Sequence, residues 1–255
     1  MHELTDEQRR TFYEQGFVHL PGAVPNELVH GALAAINGSL GTKGIDWDQH
    51  AGKGSAPYCA GLGSEPVLTD LYNASPVRAY AESAIGRGKV QPVSGVQIAL
   101  RFPSNGPAKP PAPHLDGMHT PTNGVPEGTI GNFTMLVGVF LSAVAQPFSG
   151  NFTVWPGTHH QYEKYFQEHG PQSLLNGMPP VELPEAHQIT AAPGDAVLVH
   201  YQLAHAAALN TASPHIRYAL FFRLTHVDHD TQKWEAMTDI WREYDGIRDL
   251  QDVRP

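Results

Sequence analysis

The sequence predicts a mainly β chain of α+β type, an antiparallel sandwich or barrel with helices packed on its outside. Three observations lead there. From residue 89 the segments "KVQPVSGVQIALRF", "GTIGNFTMLVGVFLS", "GNFTVWPG", "HQIT", "GDAVLVHYQL" and "IRYALFFRL" are rich in β-branched and aromatic residues and bounded by Gly, Pro, Asn and Ser, the texture of strands. No regular helical pattern alternates with them, which argues against a doubly wound parallel sheet. The 25 glycines and 22 prolines suit many turns and long loops rather than a helix bundle.

The elements follow in order. In "LTDEQRRTFYEQG" Thr5 can cap a helix, Gln8 completes a capping box and Gly16 can end it. "FVHLPG" reads as a short strand. "PNELVHGALAAINGSLG" reads as an amphipathic helix with Leu28, Leu33 and Ile36 as buried candidates and Gly38 near its end. Residues 41–65 scatter glycines without a clear period, as a disordered stretch or an active-site loop would. In "SPVRAYAESAIG" Ser75 caps and Pro76 takes the first helical position. His159 and His160 follow "PGT" at the start of another helix, with Thr158 as its cap. "TQKWEAMTDIWREYDG" closes the chain as a helix. No composition break divides the chain. The expectation is one domain, 1–255, with helical support and a lid loop in 1–88, a strand core in 89–228 and a C-terminal helix in 229–255.

Composition narrows the function. The formal net charge of −9, with no lysine/arginine run, argues against nucleic acid or an anionic membrane as partner. No segment approaches the ~20 apolar residues of a membrane span, and the polar start "MHELTDEQRR" is unlike a secretory signal. Cys59 is the single cysteine, so a cysteine-built zinc or iron–sulfur site is excluded and a reducing cytoplasm is the expected compartment.

"PPAPHLDGMH" places His114 and Asp116 two apart. In extended backbone such residues share a face, with Cα atoms about 6.6 Å apart at ~3.3 Å per residue, so both side chains can meet on one cation. On a helix they would diverge. Pro110, Pro111 and Pro113 disfavour helix and push the residues before them to extended backbone. Among 15 histidines an accidental pair is easy, and "HVD" at His226 and Asp228 competes.

The downstream segment favours the first pair. His205 ends an apolar strand, and a further strand carries Arg217 within a hydrophobic run. Two histidines and one carboxylate form the facial triad of non-heme iron(II) oxygenases, which leaves metal positions open. His226 has too little chain after it to supply another such strand. His200 is the other candidate for the distal ligand. Arg217 costs several kcal/mol on a core strand unless paired. It faces solvent, pairs with a structural carboxylate, or awaits a carboxylate brought by a ligand and held by a two-pronged hydrogen bond.

From "LTDEQRRTFYEQGFVHLPG" through "HLDGMH" and "GNFTVWPGTHH" to "GDAVLVHYQLAHAAALNTASPHIRYALFFRL", the sequence resembles the phytanoyl-CoA dioxygenase family of iron(II)- and 2-oxoglutarate-dependent oxygenases. The resemblance implies a double-stranded β-helix (jelly roll, cupin-like) with supporting helices mainly from the N-terminal part. It implies His114, Asp116 and His205 as iron ligands, His200 then being either a histidine just behind the ligands or a core histidine, and Arg217 on the distal carboxylate of 2-oxoglutarate. Arg223, farther along the same strand, fits that last role worse. Many relatives carry a serine or similar residue two after the distal histidine; here it is Ala207. Thr134 and Gln97 are the candidates to replace that contact.

The implied reaction uses O₂ to decarboxylate 2-oxoglutarate to succinate and CO₂ while oxidising an unactivated C–H bond of a small metabolite. Hydroxylation is the default. Desaturation, ring closure and epimerisation are other outcomes. Related halogenases have a small residue in place of the carboxylate, so Asp116 speaks for hydroxylase-type chemistry. Trp155, Met118 and His119 are candidate pocket residues, although tryptophan in strands usually packs and loop residues are usually solvated. Asp46, Trp47 and His50 are candidate lid contacts, and segments 41–65 and 103–113 are expected to choose the substrate. A cupin-like metal enzyme without 2-oxoglutarate, or a non-catalytic binding relative, are the competing functions. Structural zinc lacks a convincing fourth ligand.

Overall fold

The computed structural model describes residues 2–45, 58–119 and 125–253. Asp46, Trp47 and His50 lie outside these residues. Helix α1 (Asp6–Gln15) opens on a complete capping box between Thr5 and Gln8 and ends at Gly16 in the left-handed region. Strand β1 (Phe17–Leu20) follows, then helices α2 (Asn26–Lys43), α3 (Pro66–Asn73) and α4 (Pro76–Ile85). Strands β2 (Gln97–Arg101), β3 (Met135–Phe140) and β4 (Phe152–Val154) lead to α5 (Thr158–His169). Strands β5 (His187–Gln188), β6 (Ala196–His200), β7 (His205–Ala207) and β8 (Arg217–Leu224) precede two short helices, α6 (His229–Gln232) and α7 (Glu235–Thr238).

The strands form two antiparallel sheets, one of five in the order β1-β6-β3-β8-β2 and one of three in the order β5-β4-β7. Strands β3 and β6 are buried at every position. A strand reads as unbroken apolar only when both its faces are covered, and here they are. Met135, Val137, Leu198, Leu220 and Phe222 meet the helices, packing with Phe12 of α1, Ile36 of α2 and Trp241. Leu136, Phe140, Val199, Ala219 and Phe221 point the other way, toward the smaller sheet. The Phe152 and Phe221 rings, one from each sheet, lie 5.1 Å apart. Full burial of each such side chain stabilises the fold by roughly 1.5–3 kcal/mol.

Several local expectations change. Helix α2 runs through Gly38 to Lys43, and it buries Val29, Ala32 and Ile36 while Leu28 and Leu33 stay partly covered. Burial of one face against the sheet outweighs the glycine's roughly 1 kcal/mol helix penalty. Thr158 is the first helical residue of α5, not its cap; Gly157 takes the cap position at φ 80°. The Thr158 hydroxyl instead donates to Trp155 O and accepts from Ala204 N–H. The C-terminal segment is no single helix. It is α6, α7 and a 3₁₀ segment at Arg248–Val253, because Met237, Ile240, Trp241, Tyr244 and Ile247 are all buried and the chain bends to follow the core surface. Helix α3 was not anticipated from the sequence; its Pro66 stands at the helix start.

Candidate metal centre

The prolines before it deliver His114 in extended backbone beside β7. His114 N–H donates to His205 O at 3.0 Å and His205 N–H to His114 O at 3.1 Å. This pair places the two imidazoles side by side, with ring centroids 4.5 Å apart. Asp116 comes next to both. Its Oδ1 lies 3.6 Å from His114 Nε2 and 3.7 Å from His205 Nε2. One ligand atom from each residue falls within 4.8 Å of the other two, and among the described residues no other group of histidines, cysteines and acids does this. His226, the competing histidine, is buried elsewhere, with Nδ1 accepting from Asp228 N–H at 3.1 Å.

Ring orientation favours a cation. His205 Nδ1 lies 3.0 Å from Leu203 O, so it holds the proton and leaves Nε2 free to ligate. The His114 ring is half exposed at the mouth of the cleft; desolvation by the surrounding protein first, and then His205, lower its pKa, which favours the neutral form a ligand needs. Burial alone would raise the Asp116 carboxyl. His114, His205 and Arg223 outweigh it and hold the carboxyl well below the usual carboxylate range. The three donors are N, N and O, carried by a site that opens on one side. Such a set fits a divalent iron with vacant positions better than a closed tetrahedral zinc.

A cavity of about 670 Å³ opens from these residues between the two sheets. Alternation along the strands decides what lines it. Gln97, Ala99 and Arg101 of β2 and Arg217, Phe221 and Arg223 of β8 face the cavity, while Leu100, Leu220, Phe222 and Leu224 face the helices. Arg217 is 2% exposed. Its Nε donates to Gly150 O at 2.7 Å and its Nη1 to Ala99 O at 3.1 Å. Burial, then the charge of Arg101, push its pKa down to about 9. Arg101 is its direct cross-strand partner. Gly150 sits between them at φ +80°, where a Cβ would come 2.8 Å from Arg101 Cβ and 3.1 Å from Arg217 Cβ, so only glycine lets the three approach. No carboxylate of the described residues pairs with either arginine. Among the described residues Asp116 is the only acid lining the cavity.

The other sequence candidates divide. Gln97 and Met118 line the cavity; His119, Trp155 and Thr134 do not. His119 Nδ1 meets Val125 O at 2.6 Å in an exposed loop. Trp155 is buried in the core. The Thr134 hydroxyl donates to Glu243 at 2.5 Å and accepts from His226 N–H at 2.8 Å. Glu243 also meets the His229 ring at 2.8 Å. His200 is buried, facing the helices, its Nε2 on Ile240 O and its Nδ1 accepting from Gln202 N–H. Of segments 41–65 and 103–113, only Tyr58 lines the cavity among the described residues. Sequence reasoning missed Arg101, and it gave Arg223 no role beyond fitting the co-substrate worse than Arg217; Arg223 contacts Asp116. The signal was there in part: each is a charge at an alternate position of an otherwise apolar strand.

A family model for phytanoyl-CoA dioxygenase (PhyH) matches residues 12–219. The chain belongs to the phytanoyl-CoA dioxygenase family. No curated protein matches the sequence. Three solved structures of the same fold illustrate the family's surroundings. The carbocyclase SnoK of nogalamycin biosynthesis, described as non-heme and α-ketoglutarate dependent, is 20% identical, with a TM-score of 0.56 over 87% of this chain and 83% of that one. HygX from Streptomyces hygroscopicus, solved with nickel and 2-oxoglutarate, is 15% identical with a TM-score of 0.55 over 88% of this chain and 87% of that one. EctD from S. alaskensis, solved with 2-oxoglutarate and 5-hydroxyectoine, is 17% identical with a TM-score of 0.51 over 87% of this chain and 76% of that one. Among the described residues no helix is long and apolar enough to cross a membrane.

Proposed function

We propose that this protein is a cytoplasmic iron(II)- and 2-oxoglutarate-dependent dioxygenase that hydroxylates an unactivated C–H bond of a small metabolite. One observation carries the reading. The clustered His114, Asp116 and His205 open onto the same cavity that is lined by the buried Arg217, with which no carboxylate of the described residues pairs. A cupin-like metal enzyme would have no need of that arginine. The two sheets are the halves of a double-stranded β-helix, and 1–255 is one domain with helical support in 1–88, core in 89–228 and a C-terminal segment in 229–255.

The chain's residues divide the work. His114, Asp116 and His205 would hold the iron, which with 2-oxoglutarate and O₂ would supply the oxidising chemistry, succinate and CO₂ being the co-products. Arg217, fixed by Gly150 O and Ala99 O, presents its remaining N–H groups to the distal carboxylate of the co-substrate. Arg101 stands beside it and takes over the contact for which Ala207 has no polar atom. Both cations then find the anion they lack in the described protein, which offsets their mutual repulsion. The cavity is far larger than 2-oxoglutarate needs, and Met118, Val125 and Phe221 give the rest of it an apolar wall for substrate.

The test is succinate formation by the iron-loaded protein in the presence of 2-oxoglutarate and O₂, across a panel of small metabolites. The true substrate raises succinate release above the uncoupled background and gains one oxygen atom by mass spectrometry. Succinate formation that Asp116→Ala leaves intact would defeat the reading. A product changed without oxygen gain would keep the enzyme class and replace hydroxylation by desaturation, cyclisation or epimerisation.

A further inference from the structure

Arg223 sits at the other end of β8 from Arg217 and touches the ligand set itself. Its Nε donates to Asp116 Oδ2 at 3.1 Å and its Nη2 to the same oxygen at 2.8 Å. Its Nη1 donates to Gln97 Oε1 at 3.0 Å. The Phe133 ring lies under the guanidinium, 5.6 Å from ring centroid to Cζ. The arginine is thus held by an amide on one side and an aromatic face beneath while it grips a single carboxylate oxygen. Asp116 Oδ1, the other oxygen, is the one 3.6 and 3.7 Å from the two histidine nitrogens.

We propose that Arg223 is a positioning residue that fixes Asp116 as a one-oxygen metal ligand, with Gln97 holding the arginine in place. The inference rests on the metal-site reading above. A carboxylate can grip a cation with one oxygen or with both. Two N–H donors on Oδ2 occupy the lone pairs that a second metal bond would use, and they stop the carboxylate turning about its Cβ–Cγ bond. The guanidinium also places a positive charge behind the ligand, so Oδ1 alone faces the ion. The consequence is a vacant position: an aspartate that spread over two would compete with a chelating co-substrate. Arg217 and Arg223 then act on opposite ends of one strand, the first on the co-substrate's far carboxylate and the second on the protein's own.

The experiment titrates cobalt(II) into the metal-free full-length protein under anaerobic conditions, following the visible absorption that reports cobalt coordination. Wild type is compared with Arg223→Ala, Arg223→Lys, Gln97→Ala and His205→Ala, each checked by thermal melting. Partners of metal ligands typically change metal affinity 10–100-fold. Arg223→Ala is expected to bind cobalt at least tenfold more weakly, with a changed visible spectrum and an unchanged melting temperature. Arg223→Lys keeps the charge without the two-point grip and falls between; Gln97→Ala moves in the same direction by less. An Arg223→Ala protein with wild-type affinity and spectrum overturns the proposal. So does an affinity loss that tracks lowered melting temperature with no spectral change. The His205→Ala control separates the two levels. If it binds cobalt as wild type does, the metal-site reading falls and this inference with it. If it loses cobalt while Arg223→Ala does not, only the role of Arg223 falls.

Discussion

Arg101 and Arg217 stand directly opposite each other across β2 and β8, both facing the cavity, with Gly150 wedged against their side-chain stems. Two like charges in a half-dry space repel, and the described protein supplies no carboxylate to separate them. The pair makes sense as the receiver of an anion from outside the chain.

Removing either cation should therefore weaken 2-oxoglutarate selectively. Arg217→Ala is expected to raise its dissociation constant about 10–100-fold, the worth of roughly 1.5–3 kcal/mol for hydrogen bonds to a charged group. Arg101→Ala should do the same more weakly. Calorimetry with the nickel-loaded protein checks this against 2-oxopentanoate, which lacks the distal carboxylate. Its affinity should be unaltered in both variants, and an equal loss for both ligands would mean the arginines act on the fold.

Asp116→Ala and His205→Ala should each abolish substrate oxidation and lower iron(II) affinity by at least tenfold, because each removes one of the three proposed ligands. His226→Ala should keep iron affinity within twofold, since that ring lies outside the cluster. Equilibrium dialysis decides, and retention of iron by the Asp116 variant is the outcome that contradicts the ligand set.

Thr134 ties β3 to the C-terminal segment, not to the cavity. Thr134→Val leaves Glu243 and the His226 N–H each short of a partner in a buried place. A loss of about 1–3 kcal/mol is expected, and a melting temperature lower by a few degrees. The KM for 2-oxoglutarate should stay within twofold. A large KM change with no stability change would return Thr134 to the co-substrate.

His200 gives the fold a dependence on pH. Burial pushes its pKa down from 6.5 to about 4. Its Nδ1 already accepts from Gln202 N–H, so a proton there would point two donors at each other. The folded state favours the neutral ring, and between pH 6.5 and about 4 the unfolded chain binds more protons. Stability from this residue is complete above pH 6.5 and is lost as pH falls toward 4, a change on the order of 3 kcal/mol. Urea unfolding at several pH values should show this slope in wild type and a flatter one in His200→Gln.

The sequence by itself determined much of the local structure. Capping at Thr5 and Ser75, the strand segments and the extended approach to His114 are consequences of residue type and short-range sterics, and they hold in the structure. The His114/Asp116 pair was a candidate because residues two apart on extended backbone share a face, but the same spacing at His226 and Asp228 gathers no cluster, so spacing alone did not choose between them. Local pattern was silent on everything that depends on which segments become neighbours. Helix α2 outruns its glycines, and the last helix breaks up, because burial against a distant sheet exceeds propensity. Thr134 faces Glu243, 109 positions away, and not a co-substrate. Above all, the register of β2 against β8 sets Arg101 beside Arg217, and the turn after His114 sends Asp116 to Arg223. No period along either strand encodes its partner, so the placement of these arginines was decided only when the strands paired.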